Sequence, residues 1–89
     1  MKGIITVLGK DNVGIIAKVC SHLSSKDINI LDISQTIVQG YFNMMMIVDV
    51  TSTDLPFGDL AEQLSNIGTE LGVVIKLQHE DIFNAMHRI

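Results

Sequence analysis

What this sequence lacks narrows its chemistry before any motif is read. It has no tryptophan, one tyrosine and three phenylalanines, too few flat rings for a platform of stacked bases. Its six lysines and arginines are spread singly along the chain. Nothing like the basic stripe that neutralises phosphates is present, and no nucleic-acid partner is expected. The lone cysteine, Cys20, has no mate for an internal disulfide, which excludes a disulfide-stapled secreted scaffold and fits a reducing cytoplasm. The apolar run from Ile4 to Leu8 is too short for a secretory signal and no cleavage site follows it. No stretch approaches the ~20 apolar residues of a membrane span. A cytoplasmic location without a membrane partner is expected.

Fingerprints of common enzyme classes are also missing. There is no Gly-x-Ser-x-Gly, Walker-type or dinucleotide-binding pattern. Cys20 and His22 are two apart on a helix-like segment and point away from each other. His79, Glu80 and Asp81 adjoin one another without the spacing that zinc ligands use, and His87 stands apart. Exposed polar positions are expected for the three histidines, and a buried apolar role for Cys20. Asp32 and Asp49 fall inside strand-like runs, at sheet edges or near one another across a hairpin. No catalytic residue, metal or cofactor is expected, and the chain is not expected to be an enzyme.

What is abundant is apolar side chain, 47% of 89 residues in a chain of net charge −4. A chain of this length makes one domain and buries only about 60–65% of its unfolded surface. The apolar fraction exceeds what one small core needs, which points to a partner surface.

Periodicity places the elements. Lys2 to Leu8 is apolar and β-branched almost throughout, a strand buried on both faces. Gly9-Lys10-Asp11-Asn12-Val13-Gly14 breaks it. Ile16, Val19, Cys20 and Leu23 then recur at helical spacing, up to Ser24-Ser25-Lys26-Asp27. Asn29–Gln39 and Tyr41–Thr51 read as strands joined by a tight hairpin at Gln39-Gly40. Phe42, Met44, Met46, Val48 and Val50 share the core parity, with Met45 and Ile47 opposite. Strict alternation sets Leu31, Ile33 and Ile37 against Ile30 and Val38. Pro56 suits the first helical position before Leu60, Leu64, Ile67 and Leu71, with Gly72 as the closing cap. Val73–Leu77 is a fourth strand. A tail helix is expected from Asp81, with Ile82, Phe83, Met86 and Ile89 on one side.

The order is βαββαβ, an α+β sandwich of ferredoxin-like type with four antiparallel strands and two helices on one face. A single domain over 1–89 is expected, with the βαββαβ core in 1–80 and the helical tail in 81–89. Two helices cover one face only, so the tail or a second subunit has to cover the other, and a homodimer is expected.

The turn after the first strand is the most informative segment. A helix N-terminus offers unpaired N–H groups and positive dipole, which suit a carboxylate. Gly14 lets backbone approach a ligand, while Asp11 and Asn12 add an acceptor and an amide. A carboxylate beside N–H donors is complementary to an α-amino acid. The alternative is that Asp11 or Asn12 simply caps the helix.

This turn and its flanks, Ile4-Thr6-Val7-Leu8-Gly9-Lys10-Asp11-Asn12-Val13-Gly14-Ile15, resemble the opening of ACT domains, a strand followed by G-x-D-x-P-G and a helix. Asn29-Ile30 resembles the start of that family's second strand, and the closing Ile82 to Ile89 resembles the tail of small stand-alone prokaryotic members. The order of elements agrees over essentially the whole chain. The resemblance implies a regulatory dimer that binds an amino acid or related metabolite between subunits. It implies a ligand loop of Gly9, Lys10, Asp11, Asn12, Val13, Gly14 and Ile15, with Asn29 and Ile30 contributed from across the interface. Val13 stands where the family commonly has proline, so the loop regains an N–H and loses a fixed φ. The output would pass to a protein partner, since no effector domain is attached. The alternative is an oligomerisation or interaction module that binds no metabolite.

Overall fold

A computed structural model describes residues 1–10 and 14–81. The elements run β1 (Lys2–Lys10), α1 (Ile15–Ser25), β2 (Asn29–Val38), β3 (Tyr41–Asp49), α2 (Phe57–Leu71) and β4 (Val73–His79). All pairings are antiparallel and the strand order is β2-β3-β1-β4. This is the ferredoxin-like split βαβ arrangement.

The core lies between the sheet and the two helices. Ile5 and Val7 of β1, with Phe42, Met44, Met46 and Val48 of β3, are buried, as are Ile75 and Leu77 of β4. From the helices, Ile15, Val19 and Leu23 meet Leu60, Leu64 and Ile67. The buried stripe of α1 thus begins one residue earlier than the sequence pattern suggests, leaving Ile16 and Cys20 partly buried at its margin. Truncating any of these core side chains to alanine costs about 2–5 kcal/mol, because lost transfer energy adds to a cavity.

The hairpin between β2 and β3 follows the expected turn chemistry. Gln39 and Gly40 both take positive φ, 51° and 82°, and Val38 pairs directly with Tyr41. Two central residues at positive φ define a type I′ turn, whose twist matches that of the strands it joins. At the other loops, Gly72 closes α2 in the left-handed region as expected. Pro56 is the N-cap of α2 rather than its first helical residue, and its carbonyl accepts the Leu60 N–H at 3.0 Å.

Two expectations about faces are corrected. The first concerns β2. A bulge between Ile30 and Asp32 inserts Leu31 as an extra residue, so Ile30, Ile33 and Ile37 all lie on the helix side, opposite Val48, Met46 and Phe42. The second concerns β1, which is not covered on both sides. Its face away from the helices buries Ile4 but leaves Leu8 exposed. On that open face the register aligns Leu8 with Val74 and Asn43, Thr6 with Met45 and Lys76, and Lys10 with Tyr41 and Val38. The expected tail helix, with Ile82, Phe83, Met86 and Ile89, lies outside the described residues beyond the helical residues Glu80 and Asp81.

Candidate ligand site at the turn between β1 and α1

The turn is framed by two glycines that are needed for different reasons. Gly9 pairs with Val73, and a Cβ there would come within 2.6 Å of a Val73 methyl and 3.1 Å of its Cα. Close approach of β1 and β4 therefore excludes any side chain at Gly9. Gly14 stands at the N-cap of α1 with φ 91° and ψ 0°. A Cβ on it would meet nothing within 4 Å. Gly14 is required for its left-handed backbone, and the space beside it is open.

That geometry exposes donors. The Gly14 carbonyl accepts the Lys18 N–H at 2.9 Å, opening the helical ladder. Gly14 has no side chain with which to cap, and no acidic residue occupies the first turn. A left-handed residue running into a right-handed helix turns successive N–H groups toward one concavity, which suits an anion. Ile15 is buried, so it anchors the first turn in the core and offers the site its backbone alone. Lys10 is exposed at the end of β1. The N-cap thus falls on Gly14 rather than on Asp11 or Asn12. Asp11, Asn12 and Val13 lie outside the described residues.

Asn29 and Ile30 lie at the other end of the molecule. They open β2, where Asn29 pairs with Asp49 and Ile30 with Val48, and Asp49 in turn pairs with Lys2. The eight residue steps from Lys2 to Lys10 span roughly 27 Å at about 3.4 Å per residue. Within one chain the two halves of the expected site are not brought together. Asn29 and Ile30 instead border a surface hollow of about 450 Å³ with Ser24, Asp27 and Ile28.

The remaining titratable groups have local explanations. His22 is half-buried and its Nε2 lies 2.8 Å from Gln63 Oε1, tying α1 to α2. His79 stacks on Phe57, with ring centroids 3.8 Å apart and planes at 11°. Neither is the freely exposed polar residue the sequence suggested, because each packs against α2, while His87 lies outside the described residues. Partial burial pushes the Cys20 thiol upward, away from a reactive thiolate. The carboxyl of Asp49 is held below its ordinary range, chiefly by hydrogen bonds from the Thr51 hydroxyl and backbone N–H. Among the described residues no group of three or more His, Cys, Asp or Glu is placed to hold a metal. Nor is any described helix long and apolar enough to cross a membrane.

The sequence pattern of the ACT domain family matches residues 3–78. The chain belongs to the ACT domain family. It is 57% identical over 88 residues to a UPF0237 protein of Bifidobacterium longum, covering 99% of this chain and 98% of that one. Its fold is similar to that of an ACT domain protein from Streptococcus pneumoniae, with a TM-score of 0.82, 41% identity and 98% of each chain covered. It also superimposes on part of a formyltetrahydrofolate deformylase from Pseudomonas putida, with a TM-score of 0.79 and 13% identity. There 91% of this chain covers 30% of the enzyme, a likeness of fold alone. The similarity to the other two extends over 98–99% of each chain.

Proposed function

We propose that this ACT chain is a homodimeric metabolic sensor that binds an amino acid and passes the signal to another protein, without catalysis of its own. The observation that carries this reading is the open N-terminus of α1 at Gly14. Backbone donors converge there, no acidic side chain of the first helical turn competes, and a left-handed glycine leaves room for a ligand. A ligand carboxylate would take the N–H groups, and the sequence supplies in Asp11 a carboxylate of the charge its ammonium requires.

Strand β2 supports the dimer. It is an edge strand ten residues long, and the apolar Leu31, Ile33, Ile37 and Val38 along it are all exposed. Soluble proteins blunt such edges with lysine, proline or a cover, and β2 has Asp32 as its one charge. Antiparallel pairing of β2 with the same strand of a second copy would cover it. A two-fold axis through the middle of β2 would set Asn29 and Ile30 of one chain beside Val38 of the other. That is the end at which the β1–α1 turn lies, and it would unite the two halves of the site across the interface. A ligand held there would bias how the subunits pack, which is how binding becomes a signal.

The test is a thermal-shift screen against the twenty amino acids and common metabolites. A ligand present at about a hundred times its Kd stabilises the fold by about 2.7 kcal/mol, a rise of roughly ten degrees or more for a domain this small. A selective rise that disappears in Asp11→Ala is the expected result. An unchanged rise in that variant would refute the site. A flat response to every compound would leave a pure interaction module built on the exposed β2 edge.

A further inference from the structure

We propose that the open face of the sheet carries a second small-molecule site, for an apolar monocarboxylate without an amino group. This inference is independent of the amino-acid site at Gly14, since it uses the opposite face of β1 and none of the same donors.

The site is a hollow of about 430 Å³ on the face turned away from the helices, lined by Thr6, Leu8, Asn43, Val74 and Lys76, a volume within the range of small-molecule pockets. The register fixes how these residues meet. Leu8 lies between Asn43 and Val74, and one step along, Thr6 lies beside Lys76. Leu8 and Val74, a cross-strand apolar pair between β1 and the edge strand β4, are 55% and 56% exposed. Thr6, Asn43 and Lys76 make no side-chain hydrogen bond or ion pair with another described residue. An apolar floor, two neutral hydrogen-bonding groups and an unpaired ammonium therefore share one hollow.

Charge decides the class of ligand. Among the described residues of this part of the face are Lys10 and Lys76, with Tyr41, Val38, Thr36, Ser34 and Met45 completing the surface and no carboxylate present. Asp32 and Asp49 belong to the far end, beside Ile47 and Lys2. A chain of net charge −4 thus places Lys10 and Lys76 on this part of the face with no carboxylate among its described residues. The Lys76 ammonium can hold a carboxylate in a charge-assisted contact, with Thr6 and Asn43 donating to the remaining oxygen lone pairs. The Leu8 and Val74 side chains take the hydrocarbon. An α-amino acid fits poorly, because its ammonium would find no carboxylate among the lining residues and would share the hollow with the Lys76 ammonium. The patch therefore selects against the ligand class that suits the α1 N-terminus.

The test is a titration of protein labelled with ¹³C at leucine and valine methyls, with octanoate as the probe. Octan-1-ol serves as the uncharged analogue and 2-aminooctanoate as the analogue bearing an ammonium. Octanoate should shift the Leu8 and Val74 methyl resonances saturably, and 2-aminooctanoate should bind at least about tenfold more weakly. Lys76→Gln should weaken octanoate by about tenfold, as expected for loss of one charge-assisted contact, and leave octan-1-ol unchanged, while Lys76→Arg should retain binding. Lys76 is exposed, so unaltered core methyl resonances in both variants confirm the fold. The proposal is overturned if octanoate gives no saturable shift up to its solubility limit, or if Lys76→Gln binds it as tightly as the wild type. It is equally overturned if the Leu8 and Val74 methyls shift on dilution without any ligand, since the face is then sealed by a second copy.

Discussion

Single residues decide the chemistry of this chain, and two of them are glycines whose side chains are missing for unlike reasons. Gly9 is held by contact with Val73 and Gly14 by its φ of 91°, a distinction that composition cannot reveal. Alanine at Gly14 has room but the wrong backbone, so Gly14→Ala should cost about 1–2 kcal/mol in urea denaturation while abolishing the amino-acid shift. An unchanged midpoint would mean that the helix start had adopted another conformation at no cost. Asp49 offers a pH-dependent counterpart. Its folded pKa is lowered, so it contributes stability above its unfolded pKa, about 3.9, and that contribution is lost as pH falls through the folded value. Because Thr51 supplies the main cause, Thr51→Val should raise the Asp49 pKa toward the ordinary range. Carboxyl NMR resolves this directly; a titration identical to wild type would assign the shift elsewhere. The expectation of a ligand turn rested on Asp11-x-x-Gly14, and the placement of the N-cap was not legible there. Asp and Asn are the commoner caps, and only the left-handed backbone at Gly14 moves the helix start past them.

At the level of elements, the sequence disclosed what depends on local periodicity. The β3 alternation of Phe42, Met44, Met46 and Val48 and the Gln39-Gly40 turn match the structure, because each is set by neighbours within a few residues. The faces of β2 were misread for an equally physical reason. Apolar side chains on both sides of the Leu31 bulge hide the change of parity, and a bulge shows itself only when a partner strand is laid beside it. The same strand carries the dimer prediction. Ile33 and Ile37 are 41% and 58% exposed, so charge there disturbs little of the monomer core but would keep the proposed second edge from closing over it. Ile33→Lys with Ile37→Lys should sediment as a folded monomer and bind amino acids far more weakly. A double variant that stays dimeric would place the interface on another surface.

For the whole molecule, the amount of apolar surface can be read from composition, and its distribution cannot. Composition gives the amount of greasy surface, whereas the strand order β2-β3-β1-β4 determines that it is displayed on one outer strand and on one broad face. The charge balance hid something similar: a net charge of −4 conceals a local patch around Lys76 and Lys10 that only the register assembles. The strand order also bears on how large an assembly can grow. A sheet that pairs β2 with β2 consumes both copies of that edge in one symmetric contact. What then remains at either rim is β4, seven residues long with Lys76 near its middle, and a charged short rim resists further addition. Growth of the sheet would halt at eight strands. The difference between the two borders of a single chain would thus make the assembly finite, where two borders like β2 would have propagated into a fibre.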